Sequence, residues 1–538
     1  MSDGAGTETY TYDELDRLRT VSRGTDQFAY TFDAAGNLLS RTYPDGTVTS
    51  YTYDDDGRMA SATSGGAITT YTYDPAGNVL TTTTPDGFTA RRTYDRAGRL
   101  LEVANVSAAG VLSRSTYGLD PAGNRVQLTT TRSNVLYTYD PLDRLIRVCY
   151  ASCTSGGGGG GPTQGPVSAA STPLGCLDCG GGTTLTGPPT NNPPAPADTF
   201  TAWTYDPLGN RLTETTYLGT TTYTYDAADR LTSVTAPGGV VTAYTYDRNG
   251  NQRSAGANTF TYDLADRLVS ASVGTKTESY TWAGDGLRLS ATSGNGPSGT
   301  TRFQLDRSFP LPELALERDG NGKLLRRYSY GLDLLSQTTP TKGPYWSHHD
   351  GLGSVTDVTS PSGTSLWWME YTPFGTPRAS GSTSQAPVNL FRFTGAYLDT
   401  PSGLYHLRAR QYDPALGRFL SVDPVAGPIT EPAVGAYVYV RDNPCRFVDP
   451  AGLAQTPAVG GSCPVAGFAA ALGLSGLGAV DAALGLGAVF LAPSVVGELA
   501  LLPAEAAALY LHYVFIELAV QAAARDCSQL RVELNPFR

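Results

Sequence analysis

The sequence predicts a mainly β fold, an array of repeated hairpins, and three observations carry that reading. A Tyr-Thr-Tyr-Asp tetrad ends at Asp13, Asp54, Asp74, Asp140, Asp226 and Asp247, and near copies end at Asp33, Asp95, Asp206 and Asp263. Neighbouring copies lie 20 or 21 residues apart, as in the run Asp33, Asp54, Asp74, Asp95 and again in Asp206, Asp226, Asp247. The 538-residue chain is rich in Gly (62), Tyr (32) and Pro (36), which suits strands joined by tight turns. A fixed period of this length means one supersecondary unit stacked many times.

Each unit repeats one grammar. Tyr71-Thr72-Tyr73 alternates large rings with a small β-branched residue, as in a strand that shows its rings on one face. Asp74-Pro75-Ala76-Gly77-Asn78 follows, and its Asp and Gly are turn chemistry: Asp hydrogen-bonds backbone two residues on, and Gly accepts positive φ. Val79-Leu80-Thr81-Thr82 supplies the return strand. A lone hairpin is marginal in water, so rings must stack from unit to unit along a long sheet.

Composition narrows the function. The formal charge is −11 and no basic patch stands out, which argues against nucleic acid as a partner of the repeats. The first residues, Met-Ser-Asp-Gly-Ala-Gly-Thr-Glu-Thr, show no apolar signal core. Synthesis in the cytoplasm without a signal peptide is therefore expected, with export by a dedicated secretion system. The chain opens almost inside a repeat, and a bare edge strand is a liability, so a capping partner or part of the secretion machinery is expected there.

The period breaks over residues 148–200, where a glycine tract and then a proline-rich tract give flexible or extended chain without a core. Four of the seven cysteines are here, in two close pairs, Cys149/Cys153 and Cys176/Cys179. They suit a weak structural zinc site, two disulfides, or no role at all. The insert is expected to be a loop leaving the wall.

The repeat grammar resembles the YD repeats of Rhs proteins, of the C component of Tc toxins and of teneurins, over most of Thr9 to about Asp350. In that family the repeats coil into a hollow β-shell around another part of the chain. After residue 340 further motifs resemble the Rhs-associated core. They are His348-His349-Asp350-Gly351-Leu352-Gly353-Ser354, Tyr371-Thr372-Pro373-Phe374-Gly375, the run from Gly403 to Pro424, and Asp449-Pro450-Ala451-Gly452-Leu453. The resemblance implies an aspartyl autoprotease that plugs the shell and acts once on its own chain. By motif, Asp423 and Asp449 match the family's aspartate pair and Arg410 its arginine, and the cut falls between Leu453 and Ala454. Two carboxylates held close share a proton, so one can activate water while the other protonates the leaving amine, with Arg410 orienting a carboxylate. No cofactor is expected.

A plainer reading stands beside this one. Asp413-Pro414, Asp423-Pro424 and Asp449-Pro450 are also turn starters, and Asp413 with Gly417 is expected to be only that. Adjacent His348 and His349 point to opposite faces of a strand, which suits packing better than a metal. Arg408 and Arg418 are expected to pair or hydrogen-bond within the core.

The expected organisation is a shell over residues 1–340, a core over 341–453 and a variable effector over 454–538. Residues 465–492 carry one charge, Asp481, and Ala506–Val520 reads as a helix; a helical, membrane-active toxic segment is favoured over buried helices of an enzyme-like toxin or a hydrophobic cargo held unfolded. The expected partners are this enclosed segment and an immunity protein. The function read from the whole is encapsulation, self-cleavage and delivery of a toxic polypeptide in bacterial competition or against a host. The rival is a surface adhesion or carbohydrate-binding repeat protein, which would stay in one piece.

Overall fold

Around Asp54 the strands Val48–Tyr53 and Met59–Ser64 pair antiparallel across a short turn. Tyr51 is buried, Thr52 exposed and Tyr53 half-buried, so both rings face inward and the threonine faces solvent. The outward hydroxyls pair across the strands: Thr52 with Ser61 at 2.7 Å, Thr72 with Thr81 at 2.6 Å, Thr224 with Ser233 at 2.7 Å. In the turn, Asp54 Oδ1 accepts the backbone N–H of Asp56 (3.1 Å) and of Arg58 (2.8 Å). Gly57 takes φ +75°. Asp16, Asp143, Asp229 and Asp266 stand at the same place in other turns with φ between 57° and 60°, a conformation Asp tolerates better than most residues.

The side chains that define the motif also join one unit to the next. The second ring donates its hydroxyl to a carbonyl of the preceding unit: Tyr53 to Leu38 O (2.9 Å), Tyr73 to Met59 O (2.7 Å), Tyr225 to Arg211 O (2.8 Å). Trp282 does the same with its indole N–H, to Leu268 O at 2.9 Å. Arginine at the turn's end reaches forward: Arg17 to Asp33 O (2.6 Å) and Arg144 to Asp206 O (2.6 Å). Asparagine at that position finds the aspartate of the next turn, as Asn124 to Asp143 Oδ1 (2.8 Å) and Asn210 to Asp229 Oδ1 (2.9 Å). Within a turn, the Asn37 amide holds the Asp33 carboxyl below its usual range.

The computed structural model describes residues 2–3, 6–152, 198–294, 297–309, 311–424, 435–453 and 455–457. From Ser2–Asp3 to Pro377–Ser382 the strands form one sheet of 33, each antiparallel to its neighbour in sequence. The register slips just before the turn in unit after unit, between Thr52 and Tyr53, Thr72 and Tyr73, Thr224 and Tyr225. A bulge bends its strand and increases local twist, so a bulge in each unit curls the whole ladder. The ladder returns upon itself. Tyr30 donates to Asp306 Oδ1 (3.0 Å), Tyr51 to Tyr330 O (3.2 Å), Arg125 to Gly351 O (3.0 Å), and Arg132 pairs with Asp357 (2.6 Å). The result is a mainly β, spiral shell whose seam joins early repeats to late ones.

The change of sequence grammar at residue 340 is not a break in this wall. Strands Lys342–His349, Val355–Thr359, Ser365–Tyr371 and Pro377–Ser382 continue it. His348 is buried at the seam, with Nε2 3.2 Å from Asp86 and 3.0 Å from Thr359 Oγ1. At the insert, Leu145–Ser152 pairs directly with Asp198–Tyr205, with Cys149 opposite Phe200. The strands that flank residues 153–197 in sequence are therefore direct neighbours in the wall. Cys149 is buried in the wall. Cys153, Cys176 and Cys179 lie outside the described residues, and among the described residues no group of three metal-ligating side chains forms. The expected effector helix, residues 506–520, also lies outside them. No helix among the described residues is long and apolar enough to cross a membrane.

After Ser382 the chain builds a small body around Phe393, Tyr405, Leu407, Tyr412, Phe419 and Tyr439. Its four-stranded sheet comprises Tyr397–Asp399, Leu404–Leu407, Arg410–Asp413 and Arg418–Phe419. This body sits on successive repeat turns. Asn443 donates to Asn124 Oδ1 (2.9 Å) and Asp143 O (2.8 Å), Gly435 to Leu208 O (2.6 Å), Arg418 to Asp229 O (2.9 Å), and Tyr437 to Gly250 O (2.7 Å). Gly250 is required at its contact: a Cβ would lie 2.5 Å from Val422 and 2.8 Å from the Tyr437 hydroxyl.

Candidate functional site

Arg410 opens the strand Arg410–Asp413, directly after the hairpin tip at Arg408 and Ala409. Its guanidinium lies 3.6 Å over the Phe419 ring and is almost fully buried. Burial pulls its pKa below the ordinary arginine value, against the opposing pull of Asp423 and Asp449. One terminal nitrogen, Nη2, is 2.8 Å from Asp423 Oδ2 and 3.3 Å from Asp449 Oδ2. Two carboxylates separated by 26 positions in sequence thus converge on one cation, with their oxygens at most about 6 Å apart. The guanidinium stands between them as a shared counter-charge, an arrangement that two aspartates alone do not have.

The carboxylates differ in surroundings. The Asp449 side chain is 3% exposed and that of Asp423 is 27% exposed. Asp423 is fixed through its backbone, which donates to Ala436 O at 2.9 Å. Asp449 opens a turn in which its Oδ1 accepts the Leu453 N–H at 3.0 Å. The turn role of an Asp-Pro aspartate and the pairing with Arg410 therefore coexist in one side chain. Asp413, by contrast, only caps its own turn: its Oδ1 accepts from Ala415 N (2.8 Å), and Gly417 N bonds its carbonyl (2.8 Å).

The segment before Ala454 is held residue by residue. Ala409 N donates to Ala451 O (3.1 Å), and Arg410 Nε donates to Gly452 O (2.5 Å). Gly452 has φ +68°, and a Cβ there would meet Leu407 O at 2.2 Å. Beyond the turn, Thr456–Pro457 pairs antiparallel with Phe447–Val448. The chain around Leu453 is thus a tight loop pinned on both sides, with Ala454 outside the described residues. The structure brings Arg410, Asp423 and Asp449 together here, beside Gly452 and Leu453. Sequence reasoning missed Glu313, a wall residue 3.1 Å from Arg408; it lies in no motif.

Comparison with known proteins agrees with the fold. The RHS Repeat family model matches residues 32–67, 64–90, 73–107, 205–241 and 225–256. The chain is 30% identical over 253 residues to the tRNA3(Ser)-specific nuclease WapA of Bacillus spizizenii, covering 46% of this chain and 9% of that protein. It is 26% identical over 262 residues to the double-stranded DNA deaminase toxin A of Burkholderia cenocepacia, covering 48% of this chain and 17% of that one. The crystal structure of TcdB2-TccC3-TEV superposes with a TM-score of 0.62 at 19% identity, over 84% of this chain and 24% of that one. The chain spans less than a fifth of the length of these two curated relatives.

Proposed function

From a chain that carries RHS repeats and shares its fold with the TcdB2–TccC3 structure, we propose a shell that encloses its own C-terminal segment, cuts it free and delivers it as a toxic polypeptide. The relatives support delivery of a toxin: one is named a nuclease and another a deaminase toxin. The observation that carries self-cleavage is the convergence of Asp423 and Asp449 on Arg410, whose Nε also grips Gly452 O, one residue before the bond expected to break.

In this reading water attacks the Leu453 carbonyl. The more exposed Asp423 takes a proton from that water as the new C–O bond forms. Asp449, already bonded to the Leu453 N–H, gives a proton to the departing Ala454 nitrogen as the C–N bond breaks. Arg410 holds the peptide in place and stabilises whichever carboxylate is ionised. The pinned loop supplies proximity, so one slow hydrolytic turnover suffices.

The test is a denaturing gel with N-terminal sequencing. Wild-type protein should give two pieces, the smaller being residues 454–538 starting at Ala454. Asp449→Asn and Asp423→Asn should each leave one intact chain, and Arg410→Lys should slow the cut strongly. A new N-terminus at Ala454 in the double Asp423→Asn/Asp449→Asn chain would refute the assignment. Under native conditions the two pieces should co-elute, because the peptide stays inside the shell; separate elution would refute enclosure.

A further inference from the structure

The carbonyls of Pro450, Ala451 and Gly452 are received by three consecutive residues, Arg408, Ala409 and Arg410. Arg408 Nη1 donates to Pro450 O at 2.6 Å. Its other terminal nitrogen pairs with Glu313 Oε1 at 3.1 Å, and Pro312 O lies at 3.4 Å. Glu313 belongs to the wall strand Glu313–Asp319, so a shell residue reaches the cleavage turn through one arginine.

The backbone at Arg408 gives a second, independent observation. Leu407 faces Arg410 in the register, which leaves Arg408 and Ala409 as a two-residue loop. Arg408 has φ +52°. That conformation suits glycine and costs other residues about 1 kcal/mol. An arginine here sacrifices local stability, and what it adds is the side chain that joins Glu313 to Pro450 O.

We propose that Arg408 and Glu313 are positioning residues for self-cleavage: the wall carboxylate fixes the Arg408 fork, and the fork sets the register of the Asp449–Leu453 turn against Arg410 and Asp423. The proposal rests on the self-cleavage reading above. Under it, cleavage depends on the docked wall, because the peptide is not aligned until Glu313 is in place. Misplacement by a fraction of an ångström lowers the rate of a positioned reaction far more than it lowers stability.

The test follows the cut fraction over time after a translation pulse of the full chain, alongside the melting temperature of each purified variant. Arg408→Gly should melt at or above the wild-type temperature, because glycine relieves the tip, yet cleave at least about tenfold more slowly. Glu313→Gln should fold normally and also slow cleavage, and Arg408→Lys should restore part of the rate lost in Arg408→Gly. A purely structural role predicts that rate and melting temperature move together. Wild-type cleavage rates in both Arg408→Gly and Glu313→Gln would overturn the proposal. Asp449→Asn, run in parallel, separates the two ideas: if it alone blocks cleavage, the aspartate site stands and the positioning role falls.

Discussion

Arg41 and Asp306 come from opposite halves of the ladder and form an ion pair of 3.1 Å at the seam, with side chains 1% and 0% exposed. The Arg41 guanidinium also lies 3.8 Å over the Phe309 ring. A buried pair adds little net stability over apolar residues, but a buried charge without its partner is costly.

Asp306→Ala is therefore expected to destabilise the shell by roughly 3–5 kcal/mol, since Arg41 keeps its charge in a dry site. The double change Arg41→Met/Asp306→Leu should recover most of that. Denaturant unfolding of the three variants checks it, and equal losses in the single and double variants would contradict the argument.

The inward tyrosine hydroxyl and the outward threonine hydroxyl differ in value. Tyr73→Phe removes the bond to Met59 O and should cost about 1 kcal/mol. Thr72→Val touches only the exposed pair with Thr81 and should stay within about 0.5 kcal/mol of wild type. The unfolding midpoints of the two variants should fall in that order.

Glu278 is buried and accepts from the Tyr280 hydroxyl at 2.8 Å, within the field of the Arg288–Asp399 ion pair (2.6 Å). Burial first, then the Asp399 charge, pushes the Glu278 carboxyl up from 4.5 to about 7. The folded state holds this proton more tightly than the unfolded chain does. Its contribution is therefore most favourable at acidic pH and is lost as pH rises through about 7. Glu278→Gln should raise the melting temperature at pH 8 and leave it nearly unchanged at pH 5, by thermal unfolding at the two pH values. A gain at pH 5 and none at pH 8 would reverse the sign and sink the account.

The insert joins strands that already pair, from Arg147 opposite Ala202 to Ala151 opposite Asp198. Replacing residues 154–196 by a short Gly-Ser linker should keep the melting temperature within a few degrees. Loss of soluble protein, or zinc bound to wild type and absent from the deletion, would give the insert a structural role.

The local unit was legible in the sequence because its physics is local. The ring–Thr–ring alternation predicts one wet and one dry face, and Tyr51, Thr52 and Tyr53 follow it. Asp54 and Gly57 form the turn that their chemistry predicts. The seam was not legible: no spacing rule links Arg41 to Asp306, because that contact depends on how far the bulges curl the whole ladder. The boundary at residue 340 marks a change in side chains while the strand pairing runs on to Ser382. At the site, Asp423 and Asp449 came from motif resemblance, since a gap of 26 positions carries no geometry. Glu313 could not have come from either source, as it meets the site only through the folded wall.

The seam also constrains how such a chain can change length. Each unit clasps the one before it and the one after, so hairpins could be added or removed anywhere as far as neighbours are concerned. Tyr30, Arg41, Asp45 and Arg132, however, must meet Asp306, Arg327 and Asp357 one circuit later. Removing a single hairpin would advance every one of these teeth by one notch, like a gear cut one tooth short. Repeat number is thereby tied to circumference: the wall can lengthen freely at its ends, but within a circuit it can change only together with the side chains that mesh across the seam.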